Sequence, residues 1–540
     1  MNKLQPGRAP VYEMLEQYRL KGNIPYHVPG HKNGEAYLNS GQAAGYLSEV
    51  MRYDVTEITG TDDLHHPEGV IQEAQELAAD CFGAEESFFL VGGSTAGNLA
   101  LILTVCPEPG RLLILQRNVH KSVIHGLMLA GARAVFLEPQ IDPASGLAVA
   151  PAAEAVRAAL AAYPEAAGVF ITMPNYYGMG SDLAPLAQAC HASGVPLLVD
   201  EAHGAHYGLH PALPAGALAA GADGVVQSTH KMLAALTMGA MLHVQGPWLD
   251  RALLKQRLAM VQSSSPSYPV MASLDLARRL VHSQPDTAFT AGLAAVDVLR
   301  RGLAALPRFG LLQPAAQQQP PGGAGAAAGE PVPPASGAAY TAQDPFKAVI
   351  YDAAGVLGGF ELQRRLEEKG IVPEMSDDRH VVLAFSLGSK AEETAVLLEV
   401  LQDIAAQPAS PAASQGVETI APAASYNNSG HSLCPSPGNN STWNNFSLPL
   451  ISSPVPFSTR PVAAGETVSI ALEDSAGRVA AEMVIPYPPG IPLLYPGELI
   501  TESICGRLAS LREGGAKFQA CADSALQQIQ VYNIQKGGEV

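Results

Sequence analysis

The stretch Val195–Met232, VPLLVDEAHGAHYGLHPALPAGALAAGADGVVQSTHKM, contains two short apolar runs, Val195 to Val199 and Gly224 to Val226. Both include β-branched residues and are bounded by turn residues, which predicts buried strands of a parallel sheet. The first run delivers Asp200 at its carboxyl end, and the second delivers Ser228, His230 and Lys231. Open α/β sheets hold their ligands at that end. A carboxylate and a lysine on neighbouring strand ends suit pyridoxal phosphate (PLP), which takes a lysine for a Schiff base and an acid against its pyridine nitrogen. Taken alone, the same two residues also fit a helix N-cap and a solvated surface lysine.

Working outward, strand and helix patterns alternate. Strands are expected at Ser87 to Val91, Leu112 to Leu115, Ala134 to Leu137 and Gly168 to Thr172, and helices at Val119 to Ala130, Pro151 to Ala162 and Leu183 to Ser193. Such alternation predicts a three-layer α/β/α domain with a mostly parallel sheet. The strand at Ser87 runs into Gly92-Gly93-Ser94-Thr95-Ala96-Gly97-Asn98 and then an apolar helix, Leu99 to Val105. A strand, a small-residue turn and a helix start form an anion site, and without a Walker lysine or a spaced G-x-G-x-x-G the best-fitting anion is a single phosphate monoester. A purely structural helix cap reads equally well there. His120, directly after another strand, fits either a ring-stacking residue or a polar helix start.

The 540-residue chain has material for two or three domains. Its six cysteines form no CxxC pair, so neither a zinc site nor a disulfide framework is indicated and a reducing cytoplasm is the expected setting. The acidic and histidine group Asp62, Asp63, His65 and His66 precedes a helix expected from about Pro67. It lacks a second ligand set at zinc-like spacing, so no metal is expected. A net charge of −18 argues against a nucleic-acid partner. No run approaches the roughly 18 apolar residues of a membrane span, and the N-terminus lacks a signal-peptide core.

Composition shifts divide the chain. Residues 1–50 read as an N-terminal arm, 51–275 as the ligand-binding domain and 276–312 as a linking helix, part of one long helical pattern from Met271 to Leu306. Residues 313–339 and 407–461 are rich in Pro, Ala, Gly, Ser and Gln and are expected to be disordered, because they bury too little apolar surface. Between them, 345–406 reads as a small α/β domain, and 462–540 as a C-terminal domain containing a proline-punctuated stretch.

The motifs HVPGHKNG, DVTEITGTDDLHHP, FFLVGGSTAGN, QRNVHKS, TMPNYYG, VDEAHGAH, QSTHKM and PYPPGIPLLYPGE together resemble the Orn/Lys/Arg decarboxylase family. These are PLP enzymes of aspartate aminotransferase fold (fold type I), and the likeness is to the shorter biosynthetic type of Gram-positive bacteria, without the N-terminal wing of the large inducible enzymes. The resemblance implies decarboxylation of arginine, lysine or ornithine to a polyamine-pathway amine and CO₂ by a cytoplasmic homodimer. It implies Lys231 as the Schiff-base lysine, Asp200 as the partner of the pyridine nitrogen and His120 stacked on the ring. Ser94, Thr95, Ser228 and His230 would hold the phosphate, while Ala202 and His203 would lie against the ring. His230 or Lys231 would return the proton to the α-carbon. Glu498 would meet the distal cation of the substrate, and Asp62 and Asp63 would approach the partner's site. Rival readings are another fold type I reaction such as transamination or aldol cleavage, a non-catalytic protein keeping the fold, and a metal enzyme built on Asp200, His203 and His206.

Overall fold

The computed structural model describes residues 4–40, 45–314, 338–407, 443–444, 451–460, 462, 465–487 and 490–533. Most of the two stretches expected to be disordered, 315–337, 408–442 and 445–450, lies outside the described residues.

The large domain is built on strands β1 (Glu86–Leu90), β2 (Leu112–Gln116), β3 (Arg133–Leu137), β4 (Val169–Thr172), β5 (Met179–Gly180), β6 (Leu197–Asp200), β7 (Gly224–Gln227) and β8 (Ala240–Val244). Its central sheet runs in the order β1-β8-β7-β6-β4-β2-β3. Pairing is parallel from β7 through β6, β4 and β2 to β3, and β8 alone among these runs against its neighbours. The middle strands are buried throughout, so alternation disappears and the runs read as continuous apolar sequence. One cluster, including Leu101, Leu113, Leu127 and Val226, covers one face, and a second, including Ile114, Val156, Leu186 and Val199, covers the other. The carboxyl ends of β1, β2, β4, β6 and β7 therefore open on one edge, in sequence order far apart and in space adjacent.

The smaller domain contains β9 (Phe309–Leu311), β10 (Ala342–Gln343), β11 (Lys347–Asp352), β12 (Met375–Ser376) and β13 (His380–Ala384). Four of these form an antiparallel sheet in the order β12-β13-β11-β9, backed by the helices Gly359–Glu368 and Ala391–Ala406. The fifth, β10, pairs with β5 and ties this domain to the loop after β4.

Three expectations need correction. The helical pattern from Met271 to Leu306 is two helices, Tyr268–Ser283 and Thr290–Ala304, interrupted at Gln284–Phe289. Pro285 has no N–H to donate and disfavours the α-conformation at Gln284, which ends the first helix. The helix expected from Leu99 already begins at Gly93, so Ser94, Thr95 and Asn98 lie within it. The stretch 407–461 is not wholly a linker. Beyond β14 (Trp443–Asn444), β15 (Ile451–Ser452) and β16 (Val455–Pro456) both pair with the edge strand β3. Ser452 Oγ accepts the Phe136 amide at 2.8 Å and the Phe457 amide donates to Ala132 at 2.9 Å, which covers an otherwise open sheet edge.

The C-terminal domain has β17 (Thr467–Ala471) paired with β20 (Gln528–Tyr532) and β18 (Ile485–Tyr487) paired with β19 (Lys517–Gln519) around the helix Glu502–Glu513. It is anchored on the large domain by aromatic packing, with Tyr495 stacked on Phe136 at 5.1 Å and Phe457 edge-on to both.

Candidate active site

At the sheet edge Asp200 ends β6 and is 3% exposed. Its Oδ2 accepts from Asn98 Nδ2 at 2.9 Å and its Oδ1 from the Ala202 amide at 3.1 Å. Asn98 also donates to Ser122 Oγ at 3.0 Å, and Ser122 Oγ lies 2.9 Å from His120 Nδ1. Because His120 Nδ1 accepts the Ser122 N–H, its ring proton belongs on Nε2. One polar chain thus connects the acid of β6, the helix after β1 and the turn after β2. Burial raises the Asp200 carboxyl, opposed by the Asn98 hydrogen bond and the Lys231 charge. Burial, with the charges of Lys231 and Lys121, takes His120 down to about 4.

Lys231 leaves the neighbouring strand end through the short helix Thr229–Met232. Its Nζ is 3.0 Å from His203 Nε2 and 5.3 Å from the centre of the Tyr176 ring, and the Tyr176 and His203 rings are 4.0 Å apart. Burial lowers the Lys231 ammonium, with Lys347 adding to the effect and Asp200 and Glu374 opposing it. Burial holds His203 well below the usual histidine range, helped by Lys231 and Lys347. The amine next to it is thereby favoured in its nucleophilic form. His230 Nδ1 donates to the Gly239 carbonyl at 2.9 Å, leaving Nε2 as its free ring nitrogen.

Ser94 and Thr95 stand in the first turn of the helix Gly93–Val105, where backbone N–H groups lack intrahelical acceptors. Ser228, in the turn after β7, is fully buried, yet its Oγ has no hydrogen-bond partner among the described residues. A buried orphan hydroxyl beside a helix start is the donor set of a phosphate cradle. With a desolvated lysine and a fixed carboxylate on adjacent strand ends, the residues present fit PLP.

The C-terminal domain covers this edge. The Lys121 amide donates to the Gly490 carbonyl, and Gly490 lies over His120 at φ +89°. A Cβ there would stand 3.2 Å from His120 Nε2, so a side chain at this position would press on the imidazole.

Several carboxylates and histidines have other partners than the sequence suggested. Glu498 is 8% exposed, and its oxygens accept from Arg117 Nη2 at 2.8 and 2.9 Å and from the Tyr495 amide at 2.9 Å. Arg117 in turn donates to the carbonyls of Pro492 and Leu493 and lies 4.0 Å from the Tyr495 ring centre. Glu498 is therefore a docking residue, already neutralised, rather than the acceptor of a substrate cation. Replacing it by Gln leaves the buried guanidinium without its counter-charge, so Glu498→Gln is expected to lower unfolding free energy by on the order of 3 kcal/mol. Urea unfolding of the purified variant checks this, and unchanged stability with a raised KM would restore the substrate role.

Asp62 accepts the amides of Asp63, Glu68, Gly69 and Ile71 at 2.8 to 3.0 Å. It satisfies the N-terminus of the helix Val70–Phe82 from a distance, and burial against these hydrogen bonds leaves its carboxyl below the usual range. Asp63 likewise accepts the His65 and His66 amides. Both acids organise their own loop in this chain, which fixes its shape before the helix Val70–Phe82. The metal reading also fails on geometry: His206 Nε2 pairs with Asp344 Oδ1 at 2.9 Å, His203 with Lys231, and Asp200 with Asn98.

Asn98, Ser122, Tyr176, Lys347 and Glu374 were not singled out from the sequence. The first three lie inside FFLVGGSTAGN, QRNVHKS and TMPNYYG, where a motif's last or middle polar residue was the available signal.

This architecture is that of fold type I enzymes, the PLP-dependent transferase-like class. The constitutive lysine decarboxylase of Escherichia coli superposes with a TM-score of 0.71 at 22% identity, covering 98% of this chain and 82% of that one. Residues 9–318 match the Orn/Lys/Arg decarboxylase major domain and residues 456–520 the Orn/Lys/Arg decarboxylase C-terminal domain. The arginine decarboxylase of Halalkalibacterium halodurans is 31% identical over 97% of both chains. The uncharacterized protein YaaO of Bacillus subtilis is 36% identical over 97% of this chain and 98% of its own. The chain belongs to the Orn/Lys/Arg decarboxylase family and is a decarboxylase of basic amino acids.

Proposed function

We propose that this chain is a PLP-dependent, homodimeric decarboxylase that converts arginine, lysine or ornithine to the corresponding amine and CO₂ for polyamine synthesis in the cytoplasm. The observation that carries the cofactor is the pairing of a desolvated Lys231 with an Asp200 held by Asn98 and the Ala202 amide, beside the orphan hydroxyl of Ser228. Full-length relatives named arginine decarboxylase make arginine the first substrate to test.

When bound, PLP supplies an aldehyde that takes an amine and a protonated ring that withdraws electrons from the substrate's α-carbon. Asp200, kept aimed by Asn98 and the Ala202 amide, would keep that ring nitrogen protonated. Ser94, Thr95, Ser228 and His230 would hold the phosphate. His120, its orientation set by Ser122, would face the ring, with Ala202 and His203 beside it. Gly490 and its segment exclude water, which favours loss of CO₂ over side reactions. Lys231 is the nucleophile and the proton donor to the α-carbon, since His230 keeps its ring proton on Nδ1 toward the Gly239 carbonyl. A carboxylate left for the distal cation is Glu374, whose side chain is solvent-accessible and whose charge acts on Lys231, Lys347 and Tyr176.

Large apolar side chains of the N-terminal arm, Leu20, Ile24, Tyr26 and Tyr46, are 72%, 81%, 94% and 77% exposed, which supports burial against a second subunit. Among the described residues no helix is long and apolar enough to cross a membrane. The test is an end-point assay with arginine, lysine and ornithine, in which stoichiometric amine and CO₂ support the reading and a keto acid product would point to transamination. Sedimentation gives the subunit count.

A further inference from the structure

Lys347, the first residue of β11, is 2% exposed, and its ammonium forms no hydrogen bond or ion pair among the described residues, with only the more distant charges of Glu374 and Asp344 acting on it. Buried ammonium groups are paired or sit beside a place where an anion binds, since an uncompensated charge in the interior is costly. Its location is defined on two sides. The side chain packs on the loop after β4, because a Cβ on Gly178 (φ +78°) would stand 2.5 Å from Lys347 Cβ and 2.9 Å from its Cγ. Two residues earlier in that loop, Tyr176 lies against His203, which in turn contacts Lys231. On the other side Asp344, three residues before Lys347, pairs with His206 of the loop that carries Ala202 and His203. The ammonium of Lys347 thus lies on the side of the site where His203 contacts Lys231, near enough that the charge of each lysine lowers the proton affinity of His203.

From this geometry we infer that Lys347 binds the α-carboxylate of the substrate amino acid, the group that leaves as CO₂. The inference rests on Lys231 being the site of amine exchange. Three anions enter such a site: the cofactor phosphate, the ring oxygen and the substrate carboxylate. The phosphate has its own donors in Ser94, Thr95, Ser228 and the first turn of the helix Gly93–Val105, after β1 and β7, whereas Lys347 packs on the loop after β4. The substrate carboxylate is attached to the carbon that bears the exchanged amine, so it lies on the Lys231 side of the site. A cation on the small domain there fixes the carboxylate's direction, which decides which bond at the α-carbon is presented for cleavage. Departure of neutral CO₂ removes the counter-charge, so the amine product loses this contact.

The test compares each amino acid with the amine it becomes, using Lys347→Met to keep the apolar stem. KM for arginine, lysine and ornithine is measured alongside Ki for agmatine, cadaverine and putrescine. Binding of both sets is also measured by calorimetry in the Lys231→Ala background, where turnover is blocked. The expected result is at least tenfold weaker binding of the amino acid that serves as substrate, with its amine changed less than twofold. Equal weakening of acid and amine, as contact with the ring oxygen would give, overturns the assignment. Failure of the unsubstituted enzyme to form any amine would instead refute the parent function, so the two failures are distinguishable.

Discussion

Lys231→Ala is expected to lose at least about three orders of magnitude in turnover, since the covalent exchange step loses its nucleophile. The structure sharpens this because two buried lysines, Lys231 and Lys347, stand near enough for the charge of Lys347 to lower the Lys231 ammonium. Both have their ammonium lowered by burial, but Lys231 follows β7 at the strand end beside Asp200, where the cofactor ring is expected. Borohydride reduction followed by peptide mapping should place the pyridoxyl label on Lys231. A label on Lys347 would exchange the roles of the two residues and remove the carboxylate site proposed above.

Asp200→Asn should retain much of its PLP and lose roughly a hundredfold or more in kcat, because the phosphate contacts remain while ring protonation is lost. Hydrogen bonding gives a second reason. Two different donors face Asp200, the Ala202 amide and Asn98 Nδ2. An amide in its place satisfies the first with its oxygen and turns its own NH₂ toward the second, so two donors meet. Asn98 can relieve this by flipping, which breaks its donation to Ser122 and disturbs the hydroxyl that orients His120. Cofactor retention by absorbance together with kcat measures both effects, and near-normal turnover would refute the electron-withdrawing role.

Much of this was legible in the chain. Alternating short apolar runs and helical patterns specify a parallel sheet because buried strands carry apolar residues on both faces. Once β6 and β7 are recognised as neighbours, Asp200 and Lys231 are placed at adjacent carboxyl ends by geometry alone. The break at Pro285 was also written locally, but a helical pattern on both sides hid it.

What the sequence could not decide is the partner of each charge. Glu498 and Asp62 have the composition of substrate-binding acids, yet one is taken by Arg117 from 381 residues away and the other by four amides of its own loop. Lys347 reads as an ordinary residue at a strand start, and only packing against Gly178 and beside Tyr176 places it at the site. The same holds for Ile451–Phe457, whose low-complexity surroundings gave no sign that β3 offered an open edge. Strand and helix follow from periodicity along the chain, so sequence determined them. A carboxylate or ammonium acquires its role from whichever opposite charge, donor or cavity the fold brings within about 3 Å, and that choice belongs to tertiary structure.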